Sequence, residues 1–424
     1  PKSGISNAEL YRRITKIEAL DKKRFKMTVD RLGFDYSGIN DFRLVPAHLE
    51  RAIFQADPEN YRTRSTYETN PTHPGLHFGP YRLTEVVSGS HVVLEPNPTW
   101  YGAKPAFKRI VVRAIENTAA LEANLLSGSI DYVAGELGFS LDQGLAFEKR
   151  QGANYNIRYV AGLVHEHIDL NLDNPILKDV RVRRALLYGI DRETLNKQLF
   201  EGKQPVSRSF VSPLDWVATD DLPKYAFDPA KAAQLLDEAG WRPGPDGIRQ
   251  NGGTRLSLEI MTTAGNRLRE TVQQVLQSQW RRVGVEIKIR NEPARVFFGD
   301  TLRQRQFTAM GMFAWVSSPE NVPRSTLRSD EIPTAANNWA GQNYTGYCNP
   351  EMDKLIDDTG IELDRDKRRA MWQRIQEIYA TDLPVLPLYY RADPYVVPKW
   401  LTGIEPTGHQ YPSTLWIENW RSTQ

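Results

Sequence analysis

At 424 residues the chain is too long for one ordinary core, and its 54 Lys and Arg against 52 Asp and Glu leave a net charge of +2, so two or three lobes and no nucleic-acid partner are expected. No run approaches the roughly 18 to 20 apolar residues that a membrane span requires, and the single cysteine, Cys348, excludes an intrachain disulfide and a cysteine-rich metal site. Ten Trp and 18 Tyr supply flat amphipathic surfaces that suit a cleft around a partly polar ligand, with core packing as their competing use.

Residues 6–15 read as the tail of a helix and 24–29 as a strand, with nothing before them to pair or pack, so an earlier N-terminal portion is expected. A Pro/Gly/His connector at 71–79 leads to alternating runs at 81–86 and 91–95 joined through Ser88-Gly89, the pattern of a hairpin. A strand at 109–115, a helix at 118–127 ended by Gly128 and a short strand at 130–133 then indicate an α/β lobe. Longer helices follow at 179–188, 191–200 and 228–239, the last with Asp228 as its cap, Pro229 at its first position and Gly240 beyond its end. A strand at 256–262, an amphipathic helix at 267–283 stopped by Gly284, and a strand at 285–289 form a second βαβ unit and hence a second lobe. After a helix at 364–379, an extended tail at 385–397 is expected to return to the first lobe. No internal repeat or low-complexity linker separates the lobes.

The usual catalytic patterns do not occur. Ser88-Gly89-Ser90 is a turn, and no Gly-x-Ser-x-Gly elbow is present. His165-Glu166-His167 sets two imidazoles on one strand face without the helical spacing of a metalloprotease, so a surface or cleft-edge strand is expected there and no metal. Asn251-Gly252-Gly253 suits a hairpin turn and not a nucleotide cradle. Asp220-Asp221 and Asp357-Asp358 are adjacent, so neither makes the facing carboxylate pair of a glycosidase. No cofactor, metal or catalytic residue is expected.

Several segments, in order, resemble signatures of the family 5 extracellular solute-binding proteins, the dipeptide, oligopeptide and nickel-binding class of ABC importers. The first are Phe78-Gly79-Pro80-Tyr81-Arg82-Leu83, Leu94-Glu95-Pro96-Asn97-Pro98 with Trp100-Tyr101-Gly102, and Leu126-Ser127-Gly128-Ser129-Ile130-Asp131. Next come Asn171 with Lys178-Asp179-Val180-Arg181-Val182-Arg183-Arg184-Ala185, Gly189-Ile190-Asp191-Arg192, and Asp228-Pro229-Ala230-Lys231-Ala232. The order continues through Val283-Gly284-Val285, Asn349-Pro350-Glu351-Met352-Asp353-Lys354-Leu355 and Leu383-Pro384-Val385-Leu386-Pro387-Leu388-Tyr389-Tyr390, so the likeness covers residues 78–403.

The resemblance implies an α/β, bilobal clamshell of the periplasmic-binding-protein type II kind, in its large peptide-binding class. The N-terminal part of lobe one is expected to be missing, because the family's first strand and its Trp-His-Asp-Gly-like motif have no counterpart here. The implied organisation is 1–77 as the remainder of a small subdomain of lobe one, 78–167 as its core, 168–385 as lobe two and 386–424 as the return to lobe one. It further implies a monomer in the periplasm or otherwise outside the cytoplasm, with any membrane anchor on an absent N-terminus, that captures a peptide or peptide-like ligand and delivers it to an ABC transporter membrane permease. The run at 179–184 is expected to fix a helix through capping and charge pairs and not to touch ligand.

In peptide-binding members a Trp and a downstream Asp follow a strand, and the Asp pairs with the ligand's α-amino group. Trp315 matches the Trp, Ser318 stands at the aspartate's place, and Glu320 is near enough for a shifted loop to restore the charge. A neutral hydroxyl cannot replace a buried carboxylate–ammonium pair. Trp315, Ser317, Ser318, Glu320 and Asn321 are therefore expected along the cleft, together with Trp339, Asn343 and Tyr344 from the Asn-, Gly- and aromatic-rich loop at 337–347. The changed Ser318 keeps other cargoes open: an opine, an oligosaccharide or a metal chelate. A secreted hydrolase and a chaperone-like docking protein remain as readings from other classes.

Overall fold

The structure, a computed structural model, describes residues 13–31, 33, 44–115, 117–135, 138–317, 322–408 and 413–424. Strands β1 (Ile14–Ala19) and β2 (Phe25–Val29) pair antiparallel across a polar turn in which Asp21 Oδ1 accepts from the N–H groups of Lys23 and Arg24 at 2.8 and 2.9 Å. The helix expected at 6–15 falls mostly outside the described residues, but Ile14 and Thr15 open a strand instead of closing a helix. Helix α1 (Ala47–Ala56) precedes a meander of β3 (Tyr81–Val87), β4 (His91–Pro96) and β5 (Ile110–Arg113). Gly89, at φ 71°, makes the β3–β4 turn, a left-handed conformation that costs glycine nothing.

The Asn-Pro segment has a structural purpose. Asn97 Nδ2 donates to the carbonyls of His77 and Gly79, both at 3.0 Å, while its Oδ1 accepts from Thr99, so one buried amide ties the entry of β3 to the exit of β4. Helix α2 (Thr118–Leu126) is capped by Asn117, whose side chain accepts from Ala120 N–H at 2.9 Å. The strand expected at 130–133 shrinks to a single bridge between Val133 and Val396, because no neighbouring strand among the described residues runs beside the rest of it. Helix α3 (Leu141–Gln151), not expected from the sequence, begins with a Ser140/Gln143 capping box.

Strand β6 (Tyr155–Leu170), 16 residues long, leads into the longer helices: α4 (Val180–Tyr188), α5 (Arg192–Phe200) and α6 (Pro229–Glu238). Asp179, Asp191 and Asp228 cap all three, accepting from Arg181, Thr194 and Lys231 N–H. A small antiparallel sheet of β7 (Arg242–Pro243), β8 (Arg249–Asn251) and β9 (Thr254–Arg255) turns at Gly252-Gly253, both with positive φ. The βαβ unit then follows as expected: β10 (Ser257–Met261), α7 (Arg267–Arg282) and β11 (Glu286–Ile289), with β10 and β11 parallel. Val272, Leu276 and Trp280 recur on one face of α7 and are completely buried. Strand β12 (Met310–Val316), helices α8 (Pro350–Ile361) and α9 (Arg365–Asp382), and the long strand β13 (Val385–Pro398) complete the pattern. The five-stranded sheet runs β11-β10-β12-β6-β13, so β6 has a neighbour on either side.

Contacts divide the described chain into two compact units: residues up to Val160 with Asp393–Thr407 and 413–424, and Ala161–Ala392 with Gly408. The chain passes from one to the other inside β6 and again inside β13. The boundaries expected at 167/168 and 385/386 lie in the same two strands.

The arginines of the 179–192 run act on backbone. Arg183 donates to the carbonyls of Leu177, Lys178 and Asp382, the last through both Nε and Nη2, at 2.6 to 2.9 Å. Arg192, 8% exposed, donates to the carbonyls of Ser207, Pro387 and Tyr225. These oxygens include the unpaired carbonyls at the end of α9, which a helix cannot satisfy from within. Replacing the guanidinium with an apolar chain strands several buried acceptors at once, so Arg183→Met is expected to lower the urea-unfolding free energy by roughly 3 kcal/mol, with ligand affinity per folded molecule unchanged in calorimetric titration.

Candidate ligand-binding cavity

Successive side chains on a strand point to opposite faces, and β6 uses both. On one face stand His165, His167 and Asp169, which are 2, 1 and 4% exposed; on the other is Glu166, 2% exposed. Glu166 accepts from Arg269 on α7, with Nε at 3.2 Å and Nη2 at 3.1 Å, and from Arg391 on β13, with Nε at 2.7 Å. Burial by itself would raise the Glu166 carboxyl, but the two guanidinium charges and their hydrogen bonds outweigh it and hold the group below its ordinary value. The carboxylate joins a helix and two strands within one unit. Glu166→Gln leaves two guanidinia without their buried charge partner, and a loss of about 3–5 kcal/mol in unfolding free energy is expected by chemical denaturation.

The opposite row lines a cavity of about 200 Å³. Trp315 and Ser317 reach it from the end of β12, Trp372 and Tyr379 from α9, and Asp215, Gln342 and Thr345 from loops. Pairing of Trp315 with His165 and of Phe313 with His167 sets the register of β12 on β6. The two imidazole rings stack 5.0 Å apart at 10°. His167 Nδ1 lies 3.1 Å from the His165 carbonyl, its Nε2 lies 3.3 Å from Asp169 Oδ1, and Nε2 of both histidines is buried without a hydrogen-bond partner. Burial, then the nearby His167, push the His165 imidazole well below its ordinary value, so it is neutral at physiological pH.

Trp315 is half-buried and Ser317 donates its N–H to the Leu163 carbonyl at 2.8 Å; both line the cavity. Ser318, Glu320 and Asn321 lie outside the described residues. Trp339, Asn343 and Tyr344 do not line this cavity. Asn343 is fully buried, donating to the carbonyls of Arg328 and Tyr347 and accepting from Thr345 Oγ1 and Tyr347 N–H, so its amide is spent on the loop's own backbone. Tyr344 packs in an aromatic cluster with Phe297, Phe307 and Phe313 and stacks 6.2 Å from Trp315, holding that ring from behind. Trp339 sits at φ 57° with its N–H on the Thr334 carbonyl.

Of the two expectations for 165–167, a surface strand is corrected, since His165, Glu166 and His167 are all buried, while the row of His165 and His167 borders the cavity. The signal is the alternation His-x-His-x-Asp, three polar groups on one strand face just before Asn171, whose side chain donates to the Phe307 carbonyl at 2.7 Å. Among the described residues no group of three or more His, Cys, Asp or Glu is placed to hold a metal ion, and no helix is long and apolar enough to cross a membrane.

The bacterial extracellular solute-binding proteins, family 5 Middle, match residues 1–332. The chain belongs to that family. Among family 5 relatives, the oligopeptide-binding protein AppA of Bacillus subtilis is 28% identical over 404 residues, 93% of this chain and 70% of that protein. The nickel-binding periplasmic protein of Escherichia coli is 24% identical over 384 residues, 90% of this chain and 70% of that protein. The oligopeptide-binding protein of Thermus thermophilus, solved in complex with a pentapeptide, is 31% identical with a TM-score of 0.65, covering 97% of this chain and 77% of that one. The observed α/β architecture is thus the family 5 fold.

His165 yields a pH test. Its folded value is depressed, so below about pH 6.5 the unfolded chain binds the proton more readily and stability falls with pH until the folded group titrates. One such site contributes a slope of up to about 1.4 kcal/mol per pH unit. Denaturation at pH 7 and pH 5 is expected to show a smaller loss in His165→Phe than in the natural chain.

Proposed function

We propose that the chain is the substrate-binding component of an ABC importer, taking up a peptide or peptide-like solute outside the cytoplasm and handing it to a membrane permease. The observation that carries this reading is the polar and aromatic cavity beside Trp315 in a family 5 chain similar over nearly its whole length to a protein solved with a pentapeptide. A wall of Trp and Tyr with a few fixed polar groups suits a ligand that is part backbone and part side chain. Such a protein is a carrier and not an enzyme, and it works as a monomer.

The nickel-binding relative supports a second reading, a chelated metal as cargo, and the stacked imidazoles of His165 and His167 are the observation that favours it. Native mass spectrometry of the purified protein, followed by thermal-shift assays with a tripeptide set and with a nickel–histidine chelate, separates the two. A peptide at about 100 times its dissociation constant is expected to add roughly 2.7 kcal/mol of stability. A shift produced by the chelate alone selects the second reading, and a shift from neither ligand refutes solute capture of both kinds.

A further inference from the structure

The charges around the cavity are one-sided. Asp169 and Asp215 both line it, and among the described residues none of its lining side chains is Lys or Arg. Asp215 Oδ1 accepts from Val217 N–H at 3.2 Å and so takes part in its own loop. Asp169 faces His167 Nε2 at 3.3 Å. The opposite ring nitrogen of His167 lies 3.1 Å from the His165 carbonyl, an oxygen that can only accept, so that nitrogen carries the hydrogen. In a neutral ring the hydrogen is thereby removed from Nε2, and a lone pair confronts a carboxylate oxygen. Nearby, the Nε2 of His165 is also buried and unpartnered. Two acceptors in one buried row, Asp169 and His167 Nε2, with no cationic side chain among the described lining residues to serve them, call for a donor from outside the protein.

The apolar walls say how that donor arrives. Trp315, Trp372 and Phe210 present rings, and Val385 an aliphatic edge, around the same space. At about 200 Å³ the cavity is smaller than the roughly 300–1,000 Å³ of a pocket for a whole drug-sized ligand, which makes it a space for one side group. An anionic group would meet two carboxylates and no counter-charge there.

We propose that this cavity is the subsite for a cationic side group of the cargo, a guanidinium or alkylammonium, anchored on Asp169 with His167 Nε2 as a further acceptor and its aliphatic stem against Trp315 and Trp372. The inference rests on the solute-capture reading and adds a side-chain class to it. A bound cation donates to Asp169 and to His167 Nε2 together, which removes the confrontation of two acceptors, and cation–ring contact with the tryptophans adds to selectivity.

Isothermal titration of the full chain with Arg-Ala-Ala, Ala-Arg-Ala and Ala-Ala-Arg, each beside its citrulline counterpart, tests this. Citrulline keeps the shape of arginine and removes the charge. At one position or more the arginine peptide is expected to bind at least tenfold more tightly, and Asp169→Asn is expected to abolish that preference. Circular dichroism checks that the variant folds, and His167→Gln, expected to reduce the same preference, serves if it does not. Equal affinities for arginine and citrulline at all three positions overturn the inference while solute capture stands. Binding of none of the six peptides overturns the peptide reading along with it.

Discussion

Everything about the cavity depends on Glu166 being ionised inside the protein. A carboxylate that is 2% exposed survives only because Arg269 and Arg391 bring two positive charges and a set of hydrogen bonds to it. Those partners come from α7 and from β13, so the charge cluster fastens a helix and a neighbouring strand to β6 on one face. With that face fixed, the alternation of the strand leaves His165, His167 and Asp169 no freedom about where they point. The cavity-facing row is a geometric consequence of an ion cluster on the other face of the strand.

The same economy runs through the second unit. Its most recognisable run, residues 179–192, carries arginines that end on carbonyl oxygens: Arg183 on Asp382, Leu177 and Lys178, Arg192 on Ser207, Pro387 and Tyr225. A buried helix end must have its last carbonyls served from outside, and a guanidinium with five donors can serve several at once. Asn97 does comparable work in the first unit, and Asn171 and Asn343 in the second. Segments that mark the family are mostly backbone fasteners, and the cavity is lined in part by residues with no distinctive motif around them.

That division explains which expectations the structure met. The hairpin at β3–β4, the capped helices α4 to α6 and the βαβ unit of β10, α7 and β11 announce themselves through turn residues, caps and periodicity, all of them local. Strand β6 is visible in the sequence only as a fragment, because its last stretch, 165–170, is buried on both faces and lacks the apolar–polar alternation that signals a half-exposed strand. The loop at 337–347 does not announce where its amides go: a loop rich in Asn and aromatics has the same composition whether they face outward or its own carbonyls, and only the fold puts Asn343 on the carbonyls of Arg328 and Tyr347.

Sequence alone determined the class of fold, the hairpin, the capped helices and the βαβ unit, the family and the absence of familiar catalytic motifs, since each of these is carried by neighbours along the chain or by ordered signatures. Tertiary structure decided the rest. Whether His165 lies at a surface or beside a cavity depends on β12 and β13 pairing with β6, and whether Glu166 is a solvated acid or a buried anchor depends on Arg269 and Arg391, which stand 103 and 225 residues away. Burial and charge pairing between such distant positions leave no periodic trace, because the energy that selects them exists only once the strands have met.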